Sequence, residues 1–362
     1  MVKVLIIALF LIIFFEIVFR VIYSIKNRSA YKFIKKVPFK YLAVKPHPYL
    51  PFILKRKFKT LPPEKLNYSL NRNYISPQLK TNNYSFLNGT YGNRDIKIPK
   101  PKNLIRINCI GGSTTQNYIS FNNKIFSYPL ELERILKKKT KKNIEVNNCG
   151  SGGYNSADIL VRLILQLIDT RPNYIILYHA YNDIRAYLTN NFETDYSHSR
   201  KNLGEVYWKF NLGSYIPDIP LHFFNYIKNK ILPSNHRHSL LDVVSKGKVD
   251  IKNNYKKGLA TYERNIQSII DICKSRKIKL FLCTFCFNLH SKVKKDLNHK
   301  LYKKIVDEEN KILKKLAKEN SLKLIDVANK IGKGKSNFVD TIHFSPEGMK
   351  KMATIISRSI KF

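Results

Sequence analysis

Residues 105–115 read IRINCIGGSTT, an apolar run that leads into two glycines and three hydroxyl residues. The run has the length of a buried strand, and a glycine pair lets the chain turn sharply into a following helix. Ser113 would then lie exposed at the start of that helix, where backbone N–H groups have no partner within the helix. Taken alone, the stretch also fits a phosphate-binding loop or a plain turn.

Further apolar runs alternate with helix-like stretches along the rest of the chain. We predict strands at residues 105–110, 144–148, 174–178, 279–285 and 322–325. We predict helices at residues 129–139, 156–168, 262–275 and 300–319. A last helix is expected to begin near Pro346, with Ser345 as its N-cap. Such alternation is typical of βα units around a parallel sheet.

Polar motifs follow the predicted strands, and ligands of open α/β sheets bind at the carboxyl ends of the strands. Residues 148–154 read NCGSGGY, residues 181–183 read YND, and residues 340–343 read DTIH. Each motif has a plain structural explanation as well. The glycines could serve tight helix packing, Asn182 could be a helix N-cap, and a surface histidine beside an aspartate is common.

Together and in this order, the four motifs resemble those of the SGNH/GDSL hydrolase superfamily, over about residues 104–362. The segment Gly112-Ser113-Thr114 is similar to the first block, and Asn148-x-Gly150-x-x-Gly153 to the second. Residues 181–183 are similar to the third block and Asp340-x-x-His343 to the last. Two positions depart from the usual pattern: Gly112 stands where many members have Asp, and Ala180 where the third block usually has Gly.

The resemblance implies a three-layer α/β/α fold of flavodoxin-like type, with a five-stranded parallel sheet, and a serine esterase or acylhydrolase. Its implied catalytic residues are Ser113 as nucleophile, His343 as general base and Asp340 as the residue that orients the imidazole. The implied oxyanion hole consists of the N–H groups of Ser113 and Gly153 and the side-chain amide of Asn182. Such a mechanism requires no metal or organic cofactor.

Two alternative functions remain open at this point. An O-acetyltransferase or deacetylase of a cell-surface glycan would use the same triad, so the motifs do not separate it from an esterase of small molecules or lipids. A non-catalytic, membrane-tethered binding protein on the same scaffold is the second alternative. Ser113, Asp340 and His343 are all present, which argues against the second.

The N-terminal segment predicts a membrane anchor. Residues 4–23 are apolar apart from Glu16 and Arg20, which can pair across one turn of a helix. About twenty residues are needed to span a bilayer. Residues 24–26, Ser-Ile-Lys, make a poor signal-peptide cleavage site, and the all-round apolarity disfavours a helix buried in the soluble domain. We therefore predict a single-pass transmembrane helix at residues 1–25.

The side of the membrane is predicted differently by two arguments. Basic residues are frequent in residues 26–40, directly after the span, and the positive-inside rule would place them in the cytoplasm. The segment Tyr91-Gly92-Asn93-Arg94-Asp95 before the first strand resembles membrane-anchored members of the superfamily. That resemblance implies a catalytic domain outside the cytoplasm.

We divide the rest of the chain into a stalk or N-terminal extension at residues 26–103 and a hydrolase domain at residues 104–362. The strand–helix alternation lapses at about residues 184–253, which predicts an insertion. Its aromatic residues could line an acyl or sugar pocket, contact a membrane, or pack in an accessory subdomain. They include Tyr207, Trp208, Phe210, Tyr215, Phe223, Phe224 and Tyr226.

The formal net charge of +40, from 65 basic and 25 acidic residues, raises the question of nucleic-acid binding. The basic residues are mostly Lys and are spread along the chain, and no zinc-finger, helix-turn-helix or RNP pattern occurs. We therefore expect no nucleic-acid partner. A basic surface could still favour anionic lipids or an acidic polysaccharide.

Cys283 and Cys286 form a CxxC motif within an apolar run, so we predict core cysteines rather than a redox or zinc site. His179 and His290 also follow predicted strands, and a structural or solvent-facing role is expected for both.

Overall fold

The computed structural model describes residues 2–26, 43–45, 47–59, 69–71, 74–75, 78, 80–87, 94–122, 124–188, 192–199, 251–289, 299–332 and 334–362. The chain divides into two compact units, one of residues 1–42 and 201–237 and one of residues 43–200 and 238–362. In the first unit the described element is helix α1, Val2–Lys26. All other elements given below belong to the second unit.

The N-terminal segment is helical, as its apolar sequence predicts. Among the described residues, no helix has both the length and the apolar character that crossing a membrane requires. The predicted transmembrane helix at residues 1–25 is therefore not supported.

A five-stranded parallel sheet forms the centre of the second unit, as predicted. The strands of the described residues are β1 Val44–Lys45, β2 Ile53–Leu54, β3 Ser69–Asn71, β4 Tyr74–Ile75, β5 Leu104–Gly111, β6 Ile119–Phe121, β7 Lys124–Phe126, β8 Asn143–Asn148, β9 Tyr174–Tyr178, β10 Lys279–Cys283 and β11 Lys323–Ile325. The central sheet has the order β11-β10-β9-β5-β8. Strand β9 reads YIILY and is buried along its whole length, as expected of a central parallel strand.

The register of the sheet aligns the carboxyl ends of its strands. Gly111, the last residue of β5, pairs with Tyr178, the last residue of β9. Tyr178 pairs in turn with Cys283 at the end of β10, and Cys283 with Ile325 at the end of β11. The loops after these strands therefore start along one edge of the sheet, which we call the carboxyl edge.

The helices of the second unit are α2 Ser113–Gln116, α3 Tyr128–Lys139, α4 Ser156–Arg162, α5 Tyr181–Tyr187, α6 Ile251–Ser275, α7 His299–Glu319, α8 Val327–Lys330 and α9 Pro346–Ser359. The predicted helix at residues 156–168 continues after α4 as a π-helical turn and a 3₁₀ turn. Helix α9 begins as predicted, because the side chain of Ser345 accepts a hydrogen bond from the N–H of Gly348.

The strand order divides these helices between the two faces of the sheet. The chain steps from β5 outward to β8 and then back across β9, β10 and β11. Right-handed crossovers therefore place α3 on one face and α4, α6 and α7 on the other. Packing agrees, because α9 packs against α3, whereas α6 packs against α4, α5 and α7.

Four short strands lie in residues 26–103, where the sequence predicts only a stalk that partly packs on the domain. Strands β1 and β2 pair with each other, and β3 and β4 join β6 and β7 in an antiparallel sheet. Each of these strands has only two or three residues, too few for an alternating pattern to be visible. Leu50, Phe52 and Phe86 of the same segment belong to the hydrophobic core.

The predictions for the cysteines, the insertion and the helix at residues 262–275 have different outcomes. All five cysteines are buried free thiols, which confirms the core prediction for Cys283 and Cys286. Burial raises the pKa of the Cys286 thiol to about 12. Most of the predicted insertion, including the seven aromatic residues named above, lies outside the described residues, and so does His290. The helix predicted at residues 262–275 begins earlier, at Ile251, within the predicted insertion.

Candidate active site

Three of the predicted site residues form a chain of hydrogen bonds at the carboxyl edge. Ser113 opens helix α2 just after β5, and Asp340 and His343 lie in the loop before α9. The Oγ of Ser113 lies 2.9 Å from Nε2 of His343. The Nδ1 of His343 lies 2.7 Å from Oδ2 of Asp340. Ser113 and His343 are both partly exposed, so an incoming molecule can reach the hydroxyl.

The loop around Asp340 fixes the carboxylate from several sides. Its Oδ1 accepts hydrogen bonds from the N–H groups of Ile342 at 2.8 Å and His343 at 2.7 Å. Burial alone would raise the pKa of the Asp340 carboxyl. The hydrogen bonds from the side chain and backbone of His343 and from Ile342 outweigh burial, and the pKa is lowered below its usual value. Asp340 is therefore a carboxylate at neutral pH and favours the His343 tautomer whose Nε2 can accept a proton from Ser113.

The loop that carries His343 is tied directly to the turn that carries Ser113. The side-chain amide of Asn117, one residue beyond α2, donates to the carbonyl oxygen of Phe344 at 3.0 Å. The N–H of Val339 donates to the carbonyl of His343 at 2.9 Å, which closes the loop around Asp340. Ser113 and His343 are 230 residues apart in sequence. Hydrogen bonds between their two loops therefore help to fix the distance between the serine hydroxyl and the imidazole.

Two backbone N–H groups beside Ser113 have no acceptor in the described part of the chain. They belong to Ser113 itself and to Gly153. Gly153 has a φ of +78°, a left-handed conformation that favours glycine. The neighbouring Gly152 lies close to the serine, because a Cβ built on it would be 3.8 Å from Cβ of Ser113. Free N–H groups at this point are suited to bind a developing oxyanion.

The amide of Asn182 lies at the same turn. A Cβ built on Gly112 would be 2.6 Å from Nδ2 of Asn182, so the amide packs directly against the residue that precedes the serine. One N–H of this amide donates to the carbonyl oxygen of Tyr154 at 2.8 Å. A primary amide has two N–H groups, and the second is left for a ligand. Gly112, a departure from the usual Asp, is therefore the residue that makes room for the amide.

Asp183, the residue after Asn182, is completely buried and holds the start of helix α5 in place. Its two oxygens accept from the N–H of Ser156 at 2.9 Å, the hydroxyl of Ser156 at 2.5 Å and the hydroxyl of Tyr196 at 2.5 Å. His179 Nε2 lies 2.5 Å from the same carboxylate, so this histidine has the structural position that the sequence predicts. The backbone on both sides of Asn182 is thus anchored.

The glycine-rich loop after β8 is fixed by side chains on both sides. Gln116, at the end of α2, accepts from the N–H of Gly152 at 2.6 Å. Arg162, at the end of α4, donates to the carbonyl of Cys149 at 2.7 Å and to the hydroxyl of Ser151 at 2.8 Å. The loop's N–H groups are therefore held in position before any ligand arrives, which is the condition for electrostatic stabilisation.

The N-terminal segment contributes to the same loop. The ring of Phe52 lies edge-on to the ring of Tyr154 with centroids 5.5 Å apart, and the Tyr154 hydroxyl donates to the carbonyl of Phe52. The carbonyl of Tyr154 is the acceptor for Asn182. Phe52, in the predicted stalk, thus contacts the side chain of the residue whose backbone carbonyl accepts from Asn182.

All five predicted site residues lie at the carboxyl edge, but the residues that support them carry no signal in the sequence by which we predicted a site. Gln116, Tyr154, Ser156 and Tyr196 were not predicted as site residues, and Asp183 was noted only as part of a motif. Their roles depend on contacts between distant segments, and no local pattern marks them. The position of Asp183 directly after the oxyanion candidate was the one available signal.

The parallel sheet carries a hydrogen-bonded serine, histidine and aspartate at its carboxyl edge, an arrangement that fits an ester-hydrolysing α/β enzyme. The chain belongs to the GDSL-like lipase/acylhydrolase family, whose model matches residues 109–351. This membership confirms the resemblance to the SGNH/GDSL superfamily. No curated protein matches the sequence.

Solved structures of the same family are similar to the chain at low sequence identity. A lipase/acylhydrolase from Enterococcus faecalis is 17% identical, with a TM-score of 0.43 over 71% of this chain and 95% of that chain. A GDSL-like lipase from Bacteroides thetaiotaomicron is 14% identical, with a TM-score of 0.40 over 70% and 86%. An acetylxylan esterase from Geobacillus stearothermophilus is 16% identical, with a TM-score of 0.42 over 71% and 94%.

Proposed function

We propose that this enzyme is a serine esterase that cleaves carboxylic esters through a Ser113–His343–Asp340 triad. The observation that carries the proposal is the unbroken path from the Ser113 hydroxyl through both ring nitrogens of His343 to the Asp340 carboxylate. A serine hydroxyl is a weak nucleophile unless a base removes its proton during attack. Here the base is within hydrogen-bond reach, and a third group orients it.

In the proposed reaction, the Oγ of Ser113 attacks the ester carbonyl while Nε2 of His343 takes the hydroxyl proton. Asp340 stabilises the imidazolium that forms. The N–H groups of Ser113 and Gly153 and the free N–H of Asn182 bind the oxyanion, and each such donor is typically worth about 3 kcal/mol of barrier. His343 then gives its proton to the leaving alcohol. Water, activated by His343, releases the acyl group from Ser113.

The nucleophile is tested by replacing Ser113→Ala and measuring hydrolysis of p-nitrophenyl acetate and covalent labelling by a fluorophosphonate. We expect labelling to disappear and kcat to fall by at least about 10⁴-fold, because loss of the nucleophile removes the acyl-enzyme route. Ser268→Ala, on helix α6 outside the site, is the matched control and should keep both properties. A Ser113→Ala protein that melts like the parent and is still labelled would refute the proposal.

A further inference from the structure

The edge of the parallel sheet opposite the site carries an unusual concentration of positive charge. We call it the amino edge and define it by the segments that lead into the five strands, together with the first residues of β10 and β11. These are residues 97–103, 140–142, 171–173, 276–279 and 320–323. Nearly half of their residues are basic, and none is acidic. The basic residues are Lys97, Lys100, Lys102, Lys141, Lys142, Arg171, Arg276, Lys277, Lys279 and Lys323.

Overall composition does not explain this concentration. Fewer than one residue in five of the whole chain is Lys or Arg. The segments that leave the same strands at the carboxyl edge are residues 112–118, 149–155, 179–183, 284–289 and 326–331. They contain a single basic residue, Lys330, and two acidic residues, Asp183 and Asp326. Among these described segments, the positive charge is therefore concentrated where the strands begin.

The positive charges at the amino edge follow the order of the strands. Each strand is entered through an exposed cation, so that the row across the sheet is Lys323, Lys279, Arg171, Lys102 and Lys142. Neighbouring strands lie about 4.8 Å apart, which gives a row roughly 20 Å long. Side chains in the row are exposed to solvent.

Helix dipoles account for only part of this charge. Helices run back against the strands, so their negative ends lie at the amino edge, and a basic last turn stabilises them. That argument covers Lys139 at the end of α3 and Arg358 at the end of α9. Arg171 is the C-cap of the 3₁₀ turn that ends at Thr170, and the other four cations of the row lie outside the helices.

Acidic residues also lie near these segments along the chain. Asp169, Asp271 and Glu319 lie in the helical turns before the segments. Asp95 pairs with Lys57, and Glu145, within β8, pairs with Arg106.

We infer that the amino edge binds a linear polyanion, specifically an acidic polysaccharide with one carboxylate per sugar ring. A row with one cation per strand has a charge about every 4.8 Å, which fits an extended polymer whose negative charges repeat at a similar distance. Lysine side chains act as flexible point charges, which suits a polymer without a fixed conformation. Release of counterions from the polymer provides the driving force.

The position of the row leaves the enzyme active while it is bound. The central strands have five to eight residues, which separates the two edges by about 17–26 Å. A polymer on the amino edge therefore does not cover Ser113. It would hold the enzyme on a polyanionic layer with its site facing away from the attachment point. The inference does not depend on the proposed reaction.

The test uses the full chain and two variants of equal charge. The edge variant carries Lys102→Gln, Lys142→Gln, Lys279→Gln and Lys323→Gln. The control variant carries Lys124→Gln, Lys300→Gln, Lys304→Gln and Lys330→Gln, all at exposed lysines outside the amino edge. Affinity for polygalacturonate is measured between 50 and 200 mM NaCl, beside neutral dextran and vesicles of phosphatidylcholine with phosphatidylglycerol.

We expect the edge variant to bind polygalacturonate at least tenfold more weakly at 50 mM NaCl, with a shallower salt dependence, whereas the control variant stays within twofold. Activity on a neutral p-nitrophenyl ester should be the same in all three proteins. Equal weakening in both variants would show diffuse charge and overturn the inference. Equal binding to dextran, no binding to polygalacturonate, or tighter edge-dependent binding to the vesicles would also overturn it.

Discussion

The two edges of the parallel sheet differ in how they use polar residues. At the carboxyl edge the polar groups are few and mostly paired: Asp340 is bonded to His343, and Asp183 accepts four hydrogen bonds while fully buried. At the amino edge the charges are many, of one sign and exposed. The carboxyl ends of the strands thus carry groups that hydrogen-bond to one another, whereas their amino ends carry exposed charges of one sign.

This difference predicts how substitutions should combine. Groups that are buried and share partners act as a unit, so their substitutions should not be additive. Exposed charges in high dielectric interact weakly, so their substitutions should add. Effects should also be larger at the carboxyl edge, where one group can control the geometry of the others.

The largest effect expected at the carboxyl edge, apart from loss of the nucleophile, is that of replacing Asn182. Asn182→Ala removes one oxyanion donor, so kcat for p-nitrophenyl acetate should fall by about 10²–10³-fold with little change in KM. Gly112→Ala should lower kcat by about tenfold, because a Cβ would displace the amide from its present place 2.6 Å away. In the Asn182→Ala background, Gly112→Ala should have almost no further effect on kcat.

Steady-state kinetics of the parent enzyme, Asn182→Ala, Gly112→Ala and the double variant measure whether the two substitutions are coupled. If Gly112→Ala lowered kcat equally in both backgrounds, the two residues would act independently. The carboxyl edge would then not behave as a coupled unit at this position. A change in KM alone would remove Asn182 from the oxyanion hole.

Local patterns in the sequence were sufficient to predict the parallel sheet, and the resemblance to the hydrolase superfamily named five candidate site residues, which the fold brings to one edge of that sheet. Apolar runs such as residues 174–178 mark strands, and the topology of a parallel sheet brings their carboxyl ends together. Gln116 and Tyr154 could not be found in this way. Gln116 contacts Gly152 and Tyr154 contacts Phe52, so their roles exist only once distant segments have packed.

Local sequence patterns also did not reveal the row of charges at the amino edge. In the sequence the basic residues are spread along the chain, and their positions relative to one another in the fold are not visible. Only the strand order shows that five of them, from Lys102 to Lys323, form a row. At the N-terminus the apolar run correctly predicted a helix. The predicted membrane span is not supported among the described residues.

Asp183 should show an intermediate effect that involves both stability and catalysis. Asp183→Asn replaces an acceptor-only carboxylate with an amide whose N–H groups would face the donors of Ser156, Tyr196 and His179. We expect a loss of about 2–4 kcal/mol in the free energy of unfolding. We also expect a roughly tenfold lower kcat, because Asn182 loses its anchor. Urea denaturation and kinetics measure the two parts, with the exposed Asp169→Asn as control.

Repeating Asp183→Asn in the Asn182→Ala protein separates the role of Asp183 in positioning Asn182 from its effect on stability. In Asn182→Ala protein, Asp183→Asn should still lower the unfolding free energy but should no longer change kcat. If kcat fell again by tenfold, Asp183 would act on the site through some group other than Asn182.

The smallest effects should come from single lysines at the amino edge. Lys279→Gln removes one of the charges in the row, so it should weaken polygalacturonate binding only about two- to threefold and reduce the slope of log K against log [salt] by about one. Lys102→Gln should do the same, and the two together should give the sum, because Lys102 and Lys279 lie at strands β5 and β10, which are separated by β9. Binding titrations of the single and double variants at three salt concentrations measure this. A single substitution that abolished binding would mean that the amino edge is a structured site with a fixed ligand geometry, and the contrast between the two edges would fail.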